Sequence, residues 1–192
     1  MKKIAITGGI GSGKTTVARM LTPLFTVLNC DSINADLLEN DLCIRHQITD
    51  AFGEEIYTDR KCNKNLLADV IFSDVEKKRI LEAIMHPRIL QRIDTYIADS
   101  IEDIVFVEVP LLFEVEWQQY FDFSVLVISD YNTTMKRLLL RGMEEEEVKK
   151  RLLNQMDPEE KIILADYVIE NNGTMEELHE KVLKLVEVVR GL

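Results

Sequence analysis

The chain has 192 residues, 46% of them hydrophobic and 30% charged, with 23 basic against 34 acidic side chains and a formal net charge of −11. That is the balance of a soluble globular protein with a sizeable core, one domain carrying inserts rather than two independent domains. The acidic excess repels nucleic acid and anionic membrane over most of the surface, so neither is expected as a partner.

Lys3-Ile4-Ala5-Ile6-Thr7 reads as a short buried strand and Thr16-Val17-Ala18-Arg19-Met20-Leu21 as the opening of a helix. Between them lies Gly8-Gly9-Ile10-Gly11-Ser12-Gly13-Lys14-Thr15, which matches the phosphate-binding pattern Gly-x4-Gly-Lys-Ser/Thr in full. Strand, glycine loop and helix form the setting the motif needs. Gly8, Gly11, Ser12 and Gly13 bring backbone N–H groups onto a phosphate chain, with Thr16 following in the helix start. Lys14 adds a full positive charge and Thr15 a hydroxyl for Mg²⁺. The expected ligand is a nucleoside triphosphate with its metal.

Thr26-Val27-Leu28 is the next strand candidate, and Asp31 follows it at the carboxyl edge of the sheet, where open α/β folds bind ligands. Asp31 is therefore a candidate general base or orienter of an acceptor hydroxyl; the competing reading is an N-cap for the helix beginning near Ile33. From 31 to 100 no strong strand is expected but several helical stretches are, the longest from Val75 to Ile97. Leu81, Ile84, Met85, Ile89, Ile93 and Ile97 recur near the helical period there, and Pro87 should kink that helix or divide it in two. This interval is too long for a plain crossover and suits an inserted acceptor-binding subdomain.

Ile104 to Val109 and Phe123 to Ile128 are further Val/Ile-rich strands without clean alternation, as expected for strands covered on both faces. A charged segment follows at 133–164, in which Glu144-Glu145-Glu146-Glu147 reads as a solvated helix start. Arg137 and Arg141 stand one helical turn apart, as phosphate-closing residues of a lid or as an ordinary solvated face. Tyr167-Val168-Ile169 is a last short strand, and Leu178, Val182, Leu185, Val186 and Val189 form the apolar face of a closing helix.

Cys30, Cys43 and Cys62 lack disulfide-framework or zinc spacing, and no apolar run approaches ~18 residues. The loop begins almost at the N-terminus, so no signal peptide is expected and the cytoplasm is the default location. No Asn-Lys-x-Asp guanine motif or transporter signature is present, and small size with helical inserts favours a small-molecule kinase. A nucleotide-dependent switch protein is the reading from another class.

In this order and spacing, the motifs resemble the dephospho-coenzyme A kinase family. They are Thr7 to Thr16, Asn29-Cys30-Asp31 for Asp-x-Asp, Phe52-Gly53, Phe72 near a helix end, His86-Pro87 and Pro110-Leu111-Leu112-Phe113-Glu114. Arg137 to Arg141, Gln155, Ala165-Asp166 and Asn172-Gly173 complete the series. Two positions depart from the pattern: Asn29 replaces the first aspartate, and Asp59-Arg60-Lys61-Cys62-Asn63-Lys64 stands for Asp-Gly-x-Leu-Asp-Arg.

The resemblance implies a three-layer α/β fold with a parallel sheet: a nucleotide-binding core over 1–30, 101–132 and 165–192, a helical acceptor insert over 31–100 and a lid over 133–164. It implies transfer of the γ-phosphate of ATP to the ribose 3′-hydroxyl of dephospho-coenzyme A, with a nucleoside or nucleotide kinase as the alternative. Catalysis then falls to Asp31, Lys14 and Arg141, and acceptor contact to Asp31, Lys64, His86, Arg88 and Leu111. A polyanionic acceptor also needs cations, which Lys64, Arg88 and Arg92 supply, while His86 either touches the acceptor or satisfies a helix end.

Overall fold

The computed structural model describes residues 1–59 and 61–192. In chain order, β1 (Lys2–Gly8), α1 (Lys14–Leu21) and β2 (Thr26–Asn29) are followed by α2 (Cys30–Asn40) and α3 (Leu42–Phe52). Two short antiparallel strands come next, β3 (Tyr57–Thr58) and β4 (Lys61–Cys62), then α4 (Lys64–Ser73) and α5 (Val75–Ala98). The remainder is β5 (Ile104–Glu108), β6 (Phe123–Ile128), α6 (Tyr131–Leu140), α7 (Glu145–Leu153), α8 (Pro158–Leu164), β7 (Tyr167–Glu170) and α9 (Met175–Arg190). By contact the chain divides into two compact units, 1–29 with 101–192, and 30–100.

The larger unit is an α/β body around a five-stranded parallel sheet of order β2-β5-β1-β6-β7. Ile4 and Ile6 of β1, Phe106 of β5, Val125 and Val127 of β6 and Ile169 of β7 share one face. They pack on Val17, Ala18 and Leu21 of α1 and on Leu178, Val182, Leu185, Val186 and Val189 of α9. Each such side chain contributes about 1.5–3 kcal/mol on full burial, so α9 is held by its stripe more than by helix propensity. Its start is fixed by a capping box in which Thr174 and Glu177 each accept the other's backbone N–H. Ala5, Val107 and Leu126 face the other way and are also fully buried, the reason these strands read as continuous apolar runs.

The smaller unit, 30–100, has its own core of Ile33, Leu37, Ile44, Ile48, Ile56, Leu67, Met85, Ile89 and Ile93. Its helix starts are written in the sequence: Asp41 accepts from the N–H groups of Cys43 and Ile44, Asn63 from Leu66, and Asp74 from Glu76 and Lys77. Of the two outcomes expected at Pro87, a kink or a division, the second is not seen, and α5 runs unbroken from Val75 to Ala98. Met85 before the proline and Ile89 and Ile93 after it are buried on one side, and that packing outweighs the lost hydrogen bond. The interval also carries the two-residue strands β3 and β4, too short to leave an alternating pattern. Arg60 of the altered Asp-Arg stretch lies outside the described residues. Among the described residues, no helix is long and apolar enough to cross a membrane.

Candidate active site

The chain leaves β1 for β2 on one side and β5 for β6 on the other, so the strand order switches between β1 and β5 at their carboxyl ends. The glycine loop runs from Gly8 to the start of α1 at that point. Gly8 has φ 157°, and a Cβ there would collide with the Val127 carbonyl oxygen on the neighbouring strand. Gly13 precedes α1 at φ 99°, a left-handed position that places Lys14 and Thr15 in the first turn. Helix α1 therefore starts two residues before the Thr16 expected from the apolar pattern, inside the motif itself. The backbone N–H groups of Lys14 and Thr15 lie in that turn, where α-helical geometry offers no intrahelical acceptor, and they suit an anionic ligand.

Side chains distant in sequence brace the loop. Gln155 Oε1 accepts from the Ile10 N–H at 3.1 Å. The buried Asn171 donates through Nδ2 to the Ser12 carbonyl at 2.7 Å, and Arg137 Nη2 donates to Asn171 Oδ1 at 3.2 Å. Arg137 Nη1 lies 3.4 and 3.5 Å from the carbonyls of Ser12 and Gly11. Ser12 thus contributes backbone to the loop, while its hydroxyl is buried without a partner among the described residues.

Glu108, at the end of β5, is 5% exposed and ties three elements together. Its Oε1 accepts the Thr15 hydroxyl at 2.7 Å and lies 3.7 Å from Lys14 Nζ. Its Oε2 accepts Asn29 Nδ2, from the end of β2, at 2.7 Å. A buried carboxylate needs such company to stay charged. Gly9, Gly11, Gly13, Lys14, Thr15 and Thr16 line a cleft of about 390 Å³ together with Arg19 and Arg141. Lys14, Arg19 and Arg141 give this cleft a positive wall in an otherwise acidic protein, as a polyphosphate requires.

All the expected triphosphate residues, Gly8, Gly11, Ser12, Gly13, Lys14, Thr15, Thr16, Arg137 and Arg141, therefore gather at one loop. Arg137 belongs to α6 and Arg141 caps its C-terminus. Three residues there went unread in the sequence. Glu108 left a signal, a lone acid closing an apolar strand. Asn171 left only an Asn-x-Gly spacing with Gly173, and Arg19 left none.

Of the acceptor candidates, Leu111 is 41% exposed in the turn after β5. The others lie in the smaller unit. Asp31 sits in the first turn of α2, which opens at Cys30, so Asp31 lies inside the helix and not before it as an N-cap. Lys64 opens α4 and pairs with Glu39 at 3.6 Å. Arg88 donates to Gln91 at 3.1 Å and, with Arg92, lines a cavity of about 210 Å³ beside Leu37, Asp41 and Thr95. Arg92 in turn holds Asp36 at 3.2 Å. His86 falls in the middle of α5, away from both ends of that helix. Burial pushes its pKa below the usual histidine value, against the opposing pull of Glu82, which favours a neutral imidazole.

The dephospho-CoA kinase family profile matches residues 2–177. The dephospho-CoA kinase of Aquifex aeolicus is 35% identical over 190 residues, covering 97% of each chain. A crystal structure of a Thermus thermophilus protein superposes with a TM-score of 0.87 at 35% identity, over 97% of this chain and 96% of that one. Shikimate kinase from Bacteroides thetaiotaomicron, at 14% identity, shares the fold with a TM-score of 0.53 over 98% of each chain. A match that starts at the first strand and ends within the last helix takes in the loop, its braces and the helical insert together, and the chain belongs to the dephospho-CoA kinase family.

Proposed function

We propose that this protein transfers the γ-phosphate of ATP to the ribose 3′-hydroxyl of dephospho-coenzyme A, giving coenzyme A and ADP. The observation that carries the reading is the braced loop with Lys14, Thr15 and Arg141 around one cleft, in a chain matched by the family from residue 2 to residue 177. Lys14 and the first-turn N–H groups of α1 take the β- and γ-phosphates. Arg141 adds charge as negative charge spreads over the transferred group. Asp31 accepts the proton of the 3′-hydroxyl as its oxygen bonds to the γ-phosphorus and the bond to the β-phosphate oxygen breaks. Lys64, His86, Arg88 and Leu111 bind the acceptor, His86 as a neutral hydrogen-bonding group.

The Thr15 hydroxyl and the Glu108 carboxylate, side by side at 2.7 Å, form an oxygen pair that fits Mg²⁺ bound together with phosphate oxygens. When bound there, the ion neutralises charge on the phosphates. A cytoplasmic location, with no nucleic-acid partner, accompanies this reading and is in keeping with the net charge of −11.

ADP release with dephospho-coenzyme A, AMP, adenosine and pyrimidine nucleosides tests the acceptor. Turnover of dephospho-coenzyme A should exceed the others by orders of magnitude in kcat/KM, since the remote arm of the substrate supplies binding energy used at the reacting centre. Equal turnover of AMP, or phosphate on any atom but the 3′-oxygen, would replace this reading with a nucleotide kinase.

We assign residues 133–164, with α6, α7 and α8, to a lid over the phosphates. A nonhydrolysable ATP analogue should then protect this segment from limited proteolysis, and Arg141→Ala should lose both activity and protection. Unchanged cleavage together with full activity of Arg141→Ala would make the segment a structural insert only.

A further inference from the structure

Asn29 and Glu108 are direct partners in the register of β2 and β5. The amide of one donates to the carboxylate of the other at 2.7 Å. Glu108 thereby has its Oε2 occupied and its Oε1 left toward the Thr15 hydroxyl and Lys14 Nζ. With an aspartate at position 29, two carboxylate oxygens would face each other across the same short gap. Such a pair calls for a shared proton or a cation between them. The amide removes that need, because it supplies a hydrogen where the carboxylate would supply a second negative charge.

We propose that Asn29 is a positioning residue that holds Glu108 on Thr15 and Lys14 without a metal, so that this protein takes its divalent cation only together with the triphosphate. Magnesium sheds its water reluctantly and is held by one or two carboxylates plus substrate phosphates. A single carboxylate already offset by Lys14 and two hydrogen-bond donors is a poor partner for a hydrated cation. A triphosphate supplies the missing oxygens and offers Lys14 a stronger counter-charge than Glu108 does. Asn29 keeps Glu108 in place when Lys14 turns to the phosphates. The inference rests on the proposed function only in placing a triphosphate at this loop, and it is independent of the acceptor.

Calorimetric titration of the nucleotide-free full-length protein with manganese tests it, using the wild type and Asn29→Asp, each checked for folding by circular dichroism and melting. Asn29→Asp should bind the cation roughly tenfold or more tightly than the wild type. In parallel, the ATP dissociation constant is measured in EDTA and in magnesium for the wild type and Asn29→Ala. The alanine variant should keep its affinity in EDTA and lose roughly tenfold of the gain that magnesium brings. This second measurement stands alone if Asn29→Asp fails to fold. Wild-type protein that binds manganese as tightly as Asn29→Asp overturns the inference, as does an alanine variant with an undiminished magnesium gain. Neither measurement contains an acceptor, so a failure here leaves the kinase reading standing.

Discussion

Asp31→Asn should lower kcat by about 10²–10⁴, the usual cost of removing a general base, with little change in ATP affinity. The substitution keeps shape and hydrogen-bonding reach and removes the charge together with its basicity. Asp31 is exposed in the first turn of α2, two residues along the chain from Asn29, which closes β2. An acid in a first helical turn also gains from the helix dipole, and that contribution is the rival explanation for its presence. The two roles separate cleanly in the variant. Loss of the dipole contribution would show as a lower melting temperature with turnover intact. Loss of the base would show as a fall in single-turnover rate with melting nearly unchanged. An Asp31→Asn protein with wild-type kcat would remove Asp31 from proton transfer and leave it as a helix-start residue.

The parts of this molecule legible in its sequence are those whose cause is local. The glycine loop announces itself because Gly8 and Gly13 are demanded by backbone geometry at fixed spacing. The α9 stripe of Leu178, Val182, Leu185, Val186 and Val189 is legible because one helix face meets one sheet face. The Glu144–Glu147 run likewise proved to be the cap and first turn of α7. Where the cause is a distant partner, the sequence is silent. Asn29 stands out as a departure from the family pattern, but its meaning depends on Glu108, 79 residues away. Gln155 is legible as a member of the motif series, but its partner, the Ile10 N–H, is not, and neither is the Ser12 carbonyl that Asn171 holds. Pro87 leaves two outcomes open. Its local rule allows a kink or a break, and with buried residues on both sides of it the helix does not break.

Lys14→Ala should lose at least ~100-fold in kcat, in line with removal of a preorganised charge from the transferring phosphate. The effect should fall on the chemical step more than on binding, because charge on the γ-phosphate oxygens redistributes as transfer proceeds and Lys14 is placed to meet it. The fold should survive for a reason visible at Glu108. Breaking a buried ion pair from one side typically costs ~3–5 kcal/mol when the remaining charge is stranded. Here the stranded carboxylate keeps the Thr15 hydroxyl and the Asn29 amide, both at 2.7 Å, whereas the Lys14 contact is the long one at 3.7 Å. The structural loss should therefore lie well below that range. Arginine at this position should not restore turnover, since a planar fork cannot reproduce a compact point charge inside a loop. Circular dichroism and melting of Lys14→Ala, set beside kcat and the ATP dissociation constant, check all of this at once. Near-normal turnover in a folded Lys14→Ala protein would take the glycine loop out of the active site and, with it, the kinase reading.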